Sequence, residues 1–291
     1  MDKFNKLALP FVNGVEEGKK KSNLFVAIIV VPIFSFLVSF IFSYVVFLIS
    51  FKRVPFMGLV VPFLGMILGI FIWVRFFEKR KFDTIGFFTE NNKALKNYII
   101  GIITGLLSFS IATFIIVSFQ GNISFLGIDF NKSVFLFTML IGYGVQGAAE
   151  EILTRGYIFG VVSNKLNVVW GIIINSVIFA LLHLGNPGFG LIPFVNIILV
   201  GIFFTLMAII TKSLWCSCAI HSMWNFAQGH IFGTSVSGTG VSYNSIFMTT
   251  SNNSLVAGGV FGPEGGLAVT ITLLLFILSC IFKIRKQLNS I

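Results

Sequence analysis

Eight uninterrupted apolar runs, each about as long as a helix needs to cross a bilayer, leave this chain few folds to choose from. They extend approximately from Asn23 to Phe51, Pro55 to Trp73, Tyr98 to Phe119, Val134 to Phe159, Val168 to Leu184, Phe194 to Thr211, Leu214 to Phe232 and Leu267 to Phe282. None alternates apolar and polar residues as a barrel strand does, and a backbone in hydrocarbon must satisfy its own hydrogen bonds, so helices are expected. Only 10% of residues are charged, against roughly 25% in a soluble domain. The expectation is an all-α, polytopic membrane helix bundle of about eight transmembrane helices. The spans use up most of the 291 residues, which points to one transmembrane domain over 23–282, with cytoplasmic tails at 1–22 and 283–291.

The basic residues set the expected orientation. Lys3, Lys6, Lys19, Lys20 and Lys21 precede the first run; Arg75, Lys79, Arg80, Lys81, Lys93 and Lys96 fall between the second and third; Lys283, Arg285 and Lys286 follow the last. With eight spans these share one side, together with Lys165 and Lys212, and the opposite side holds only Lys52, Arg53 and Lys132. The positive-inside rule then puts both termini in the cytoplasm of a cell-membrane, multi-pass protein. The net charge of +10 reports topology and contact with the lipid bilayer, and no nucleic-acid partner is expected, because no basic cluster marks a soluble face. Three cysteines, Cys216, Cys218 and Cys280, imply no disulfide framework.

Against this apolar background the buried polar residues stand out. Adjacent Glu150 and Glu151 lie in a run expected to cross the membrane, where an ionisable side chain costs roughly 2.5–3.5 kcal/mol and marks a functional site by default. Arg155 follows Glu151 by four residues, the favourable direction for an ion pair on one helix face. Glu150 points about 100° away around the helix, so its charge must be met by another helix or removed by protonation, which makes it the candidate general base. The remaining inventory is Asn175, His183, Asn196, His221 and Asn225. His183 follows Phe179 by four on the fifth run, and Asn225 follows His221 by four on the seventh, so each helix presents a pair on one face. His230 lies on the opposite face from His221 and is set aside. A rise of about 1.5 Å per residue puts Glu150 about 15 Å, His183 about 22 Å, His221 about 10 Å and Asn225 about 17 Å from the cytoplasmic helix ends. The long Gly, Ser, Thr and Asn-rich stretch from Gly233 to Gly266 is expected on the outer side, as a plain loop or as a lid that re-enters the membrane.

The ordered set Glu150-Glu151-x-x-x-Arg155, Phe179-x-x-x-His183 and His221-x-x-x-Asn225, on three separate apolar helices, resembles the CAAX protease and bacteriocin-processing family of intramembrane endopeptidases. The resemblance covers a motif core of 147–225, and Gly262-Pro263-Glu264-Gly265-Gly266 looks like a further segment of bacterial members. It implies that Glu150 with His183 activates a water for attack on a peptide carbonyl, that His221 and Asn225 stabilise the oxyanion, and that Glu151, Arg155 and Phe179 support the site. The implied substrate is a small membrane-associated peptide or a lipidated C-terminal peptide, with bacteriocin processing or immunity as the setting. Glu150, His183 and His221 are also an alternative zinc set, but the zinc-protease pattern of two histidines four apart around a glutamate is absent, so no cofactor is expected to be required. A non-proteolytic immunity or scaffold protein, or a proton-coupled transporter, is the alternative class. Transport predicts broken helices in matching halves, and no such symmetry is visible.

Overall fold

The structure, a computed structural model, describes residues 3–49, 55–87 and 93–289. Lys52 and Arg53, two of the three cations expected opposite the termini, and the end of the first apolar run lie outside the described residues, as do Ser290 and Ile291. Two short helices, α1 (Lys3–Leu7) and α2 (Leu9–Glu16), lead into α3 (Val31–Ile49), which is entered through a π turn over Val26–Val30. Helix α4 (Pro55–Ile72) runs on into a π turn at Trp73–Phe77, and α5 (Ala94–Ser118) follows. Strand β1 (Gly121–Phe125) leads to α6 (Phe130–Glu151), a π stretch (Ile152–Ile158) and α7 (Phe159–Lys165), which form one continuous rod. Then come α8 (Val168–Leu181), α9 (Leu191–Thr211), α10 (Leu214–Phe226) with a π turn (Ala227–Ile231), β2 (Phe247–Ser251), α11 (Ser254–Ala257) and α12 (Leu267–Asn289).

The all-α polytopic bundle is present, though length and hydropathy alone do not yield eight spans. Among the described residues, five helical segments are long and apolar enough to cross a membrane: Val26–Ile49, Phe56–Phe77, Ala94–Ser118, Leu191–Thr211 and Leu267–Asn289. Helix α8 is shorter, and the α6–α7 rod and α10 carry the polar residues in the protein interior, where α10 is buried at eleven of its thirteen positions. The three site-bearing helices start where a capping side chain reads the first turn: Asp129 accepts from the Lys132 amide (2.7 Å), Asn167 from Trp170 (3.0 Å) and Ser213 from Trp215 (3.3 Å). Such caps satisfy amides that the helix itself cannot.

Small residues bring the central helices together, as expected where dispersion rather than hydrophobic burial drives helix association. A Cβ at Gly101 would come 2.4 Å from the Cys216 carbonyl oxygen, and one at Gly105 2.6 Å from that of Ile220, so α5 lies directly against α10. A Cβ at Gly147 would meet the Ser222 amide nitrogen at 2.8 Å, which fixes α6 against the other face of α10.

The N-terminal segment packs onto the bundle. Leu7, Ala8, Phe11 and Val15 are buried, and Phe11 meets Phe159 edge-on at 5.5 Å. A buried polar cluster ties this segment down. Glu78 accepts from Ser22 (2.6 Å), Tyr157 (2.7 Å) and Arg80 (2.7 Å), and Arg80 also donates to the Gly14 carbonyl (3.1 Å). Arg80 thus serves as a buried structural cation rather than a free loop charge. At the surface, hydrogen bonds from Lys21 and Asn164 hold the Glu16 carboxyl below the usual carboxylate range.

At the far end of the bundle β1 pairs antiparallel with β2, Gly121 opposite Ser251, a ribbon the sequence reading did not anticipate. The 233–266 stretch folds back onto the protein. Lys132 donates to the carbonyls of Leu126, Gly127 and Ser245, and Phe261, Pro263, Glu264 and Gly265 are buried.

Candidate active site

Glu150 closes the last turns of α6, and Gln146, one turn earlier, donates to its Oε1 at 2.8 Å. Its Oε2 has no hydrogen-bond partner among the described residues and lies 3.7 Å from Nε2 of His221. That separation is too long for a direct hydrogen bond and short enough for one water to bridge. The other imidazole nitrogen of His221, Nδ1, is 2.9 Å from Oε1 of Glu151. A carboxylate can only accept, so Nδ1 carries the proton, and the partner fixes both the tautomer and the direction of Nε2 toward Glu150.

Glu151 and Arg155 are completely buried. Arg155 donates to Glu151 Oε1 at 2.8 Å and to Thr154 Oγ1 at 2.8 Å. Its guanidinium stacks over the Phe179 ring at 4.2 Å and faces Phe204 at 5.6 Å. Cation–π contacts of this kind offset part of the desolvation of a buried cation. Phe179 also meets His183 at 4.8 Å and His221 at 5.8 Å, edge-on to both, so one ring spaces three polar groups. The π stretch after Glu151 re-aims the following residues, a distortion common near functional sites.

His183 does not sit on a helix as expected. Helix α8 ends at Leu181, and His183 lies in the turn beyond it, where its Nδ1 donates to the Phe179 carbonyl at 2.8 Å. Asn225 donates to Gln146 Oε1 at 2.9 Å, so Asn225, Gln146 and Glu150 form a relay of hydrogen bonds across α10 and α6. Gln146 was missed by the sequence reading, although an amide four residues before Glu150 in an apolar run was a usable signal. Glu150, His183, His221 and Asn225 all line one cavity of about 390 Å³, whose other walls include Phe63, Met66, Leu153, Phe179, Ile197 and Phe204.

Glu264, from the loop before α12, also reaches this cavity. Its Oε2 accepts from the amide (3.0 Å) and hydroxyl (2.6 Å) of Ser237 and from Gln228 (3.3 Å), and its Oε1 from Trp224 (3.2 Å). It latches the 233–266 stretch to α10. Asn196 pins the same turn through the carbonyls of Glu264 (2.8 Å) and Gly266 (3.0 Å), while Asn175 bonds within α8 and to Thr205, away from the cavity. His230 is buried among Phe135, Tyr143 and Phe226 and does not line the cavity.

The zinc alternative requires Glu150, His183 and His221 to converge on one point. Among the described residues no group of three His, Cys, Asp or Glu side chains is placed to hold a metal ion. The nearest donors to Glu150 are Gln146 and His221, and His183 is turned to the Phe179 carbonyl through Nδ1. The cysteines are free thiols, all three buried.

No curated protein matches the chain. Residues 132–227, running from the first turn of α6 to the end of α10 and including Gln146, Glu150, Glu151, Arg155, His183, His221 and Asn225, match the family model described as Rce1-like, type II CAAX prenyl endopeptidase Rce1-like. Over this segment, about a third of its length, the multi-pass membrane chain is similar to the type II CAAX prenyl endopeptidases, and the segment supplies the polar residues of the cavity.

Proposed function

We propose that the protein is an intramembrane endopeptidase in which Glu150 is the general base, acting on a small membrane-associated peptide or a lipidated C-terminal peptide. The observation that carries this reading is the pairing of a carboxylate oxygen with no hydrogen-bond partner among the described residues, Glu150 Oε2, with a tautomer-fixed imidazole nitrogen 3.7 Å away, inside a largely apolar cavity. A water held between them gives its proton to Glu150 as its oxygen attacks the scissile carbonyl carbon. The tetrahedral oxygen then draws hydrogen bonds from Asn225 Nδ2 and from His221 Nε2, to which Glu150 lends the proton it took from the water while Glu151 offsets the imidazolium charge. When the carbon–nitrogen bond breaks, Glu150 returns the proton to the leaving amine. His183 faces the same cavity and orients the water from the α8 side. Donors aimed at a developing oxyanion are commonly the largest catalytic term, and positioned proton transfer adds about 10²–10⁴-fold.

Glu151 and Arg155 position His221 from behind the cavity, and Phe179 spaces these groups while forming part of the cavity wall. No metal is required in this scheme. The domain reading follows: one membrane-embedded catalytic unit over 23–282, in a cell membrane with both termini cytoplasmic, and with peptide maturation or immunity as its role. The basic segments support this orientation, because the N-terminal helices, the turn after α4 and the α9–α10 turn gather at one end, where the Gly14 carbonyl meets Arg80 and the Leu214 amide meets the Gly86 carbonyl.

The test is cleavage of a panel of prenylated and unmodified hydrophobic peptides by purified protein in detergent, with wild type and Glu150→Ala, each with and without a strong chelator. Cleavage lost in the variant and kept with chelator supports the scheme. Equal cleavage by Glu150→Ala refutes the role of Glu150, and loss on chelation with recovery on zinc refutes the metal-free step.

A further inference from the structure

A second polar cavity, of about 350 Å³, lies at the end of the bundle that holds the N-terminal helices. Its walls are Lys93, Lys96, Asn97 and Ile100 from the start of α5, Ile210, Thr211 and Lys212 from the end of α9, Lys283 and Gln287 from α12, and Pro10 from α2. Four lysines from three helices therefore line one pocket. No Asp or Glu among the described residues lines it, and none forms an ion pair with these lysines. Glu16, Glu78, Asp129, Glu150, Glu151 and Glu264 are engaged elsewhere.

The ordinary reason for lysines at such a place is to cap the carbonyls of a helix C-terminus. Here those carbonyls already have partners. Asn97 donates to Thr211 and Gln287 to Ile210, both at 3.4 Å, while the amides of Lys212 and Ser213 reach Ile209 (3.2 Å) and Ala208 (3.1 Å). Lys212 is also held in the left-handed region at φ 51, a conformation strained for a residue other than glycine. The start of α5 adds its own positive end: the helix runs for 25 residues with no side-chain cap from Lys93 and no acid in its first turn.

The depth is informative. Lys93 and Lys96 stand just before the apolar stretch of α5, Lys212 directly after that of α9, and Lys283 directly after that of α12. Below the pocket, α5 and α12 leave Ile99, Ile103, Leu278 and Phe282 exposed. We propose that this pocket binds a phosphate group at headgroup depth, either that of an anionic phospholipid whose chains lie along α5 and α12 or a free phosphate ester.

The test compares the full chain in a phosphate-free neutral detergent with two charge-matched quadruple variants. One is Lys93→Gln, Lys96→Gln, Lys212→Gln and Lys283→Gln; the control is Lys19→Gln, Lys20→Gln, Lys79→Gln and Lys165→Gln. Dissociation constants are measured for a short-chain phosphatidylglycerol, for phosphatidylcholine and for glycerol 3-phosphate, and thermal unfolding verifies that both variants fold. At about fivefold per lysine, the pocket variant should bind phosphatidylglycerol at least a hundredfold more weakly, while the control changes less than threefold. Loss of phosphatidylglycerol binding alone identifies a lipid site, and a parallel loss of glycerol 3-phosphate binding identifies a free-phosphate site. Equal weakening by both variants, or no effect of the pocket variant on either phosphate ligand, overturns the proposal.

Discussion

Removing the charge of Glu151 tests the buried electrostatics directly. Its Oε1 is 2.8 Å from the Arg155 guanidinium and 2.9 Å from His221 Nδ1, and neither Glu151 nor Arg155 has measurable solvent exposure. At an effective dielectric near 20, a unit pair at that separation attracts with about 6 kcal/mol, an amount largely cancelled by desolvation of both ions. Glu151→Gln keeps the shape and removes only the attraction, leaving Arg155 as an uncompensated cation whose Nε and one terminal nitrogen have no acceptor among the described residues. The expected cost is about 3–5 kcal/mol, whereas removing both charges in Glu151→Leu with Arg155→Met should return stability to within about 1 kcal/mol of wild type. Equilibrium unfolding in mixed detergent micelles reads both values. The double variant should nonetheless fail to cleave peptide, because His221 loses the acceptor that fixes its tautomer. A Glu151→Gln loss below about 1 kcal/mol, or a double variant no more stable than the single, would refute the account of the buried pair.

Four further outcomes follow from the same geometry. Glu150→Gln should lower kcat by at least about 10²-fold with little change in unfolding, since only the Gln146 contact to Oε1 is shared. Gln146→Leu breaks the relay between Asn225 and Glu150; a stability loss of about 1–3 kcal/mol and a fall in kcat at nearly constant KM are expected, measured by unfolding and steady-state kinetics. Gly147→Val places atoms against the Ser222 amide that a Cβ alone would approach to 2.8 Å, so α6 and α10 separate and destabilisation of about 1–3 kcal/mol should accompany loss of activity. Glu264→Ala removes the latch on Ser237; hydrogen exchange of the 235–240 amides should accelerate by at least tenfold while α5 and α9 stay protected.

The helices were legible because they depend on local facts, apolar run length and the cost of bare backbone in hydrocarbon, whereas the caps at Asp129, Asn167 and Ser213 came only from the structure. The polar residues of the site were equally legible, since few ionisable side chains tolerate membrane depth without a reason. Their partners were not. Helical periodicity tells which face Glu150 and His221 occupy but not how α6 and α10 rotate and cross, and that crossing, set by Gly147 against Ser222, decides that His221 bridges both glutamates and that Asn225 is tied to Gln146. The end of α8 before His183, the pairing of β1 with β2 over a separation of about 125 residues, the return of Glu264 to the cavity and the gathering of four lysines from three helices are likewise contacts between residues distant in sequence. The sequence by itself determined a bundle of membrane helices and the chemistry available inside it, because burial in hydrocarbon penalises every unsatisfied polar atom wherever it occurs. Only the tertiary structure decided which of those atoms meet, because side-chain partnership across helices depends on packing shape that no single helix encodes.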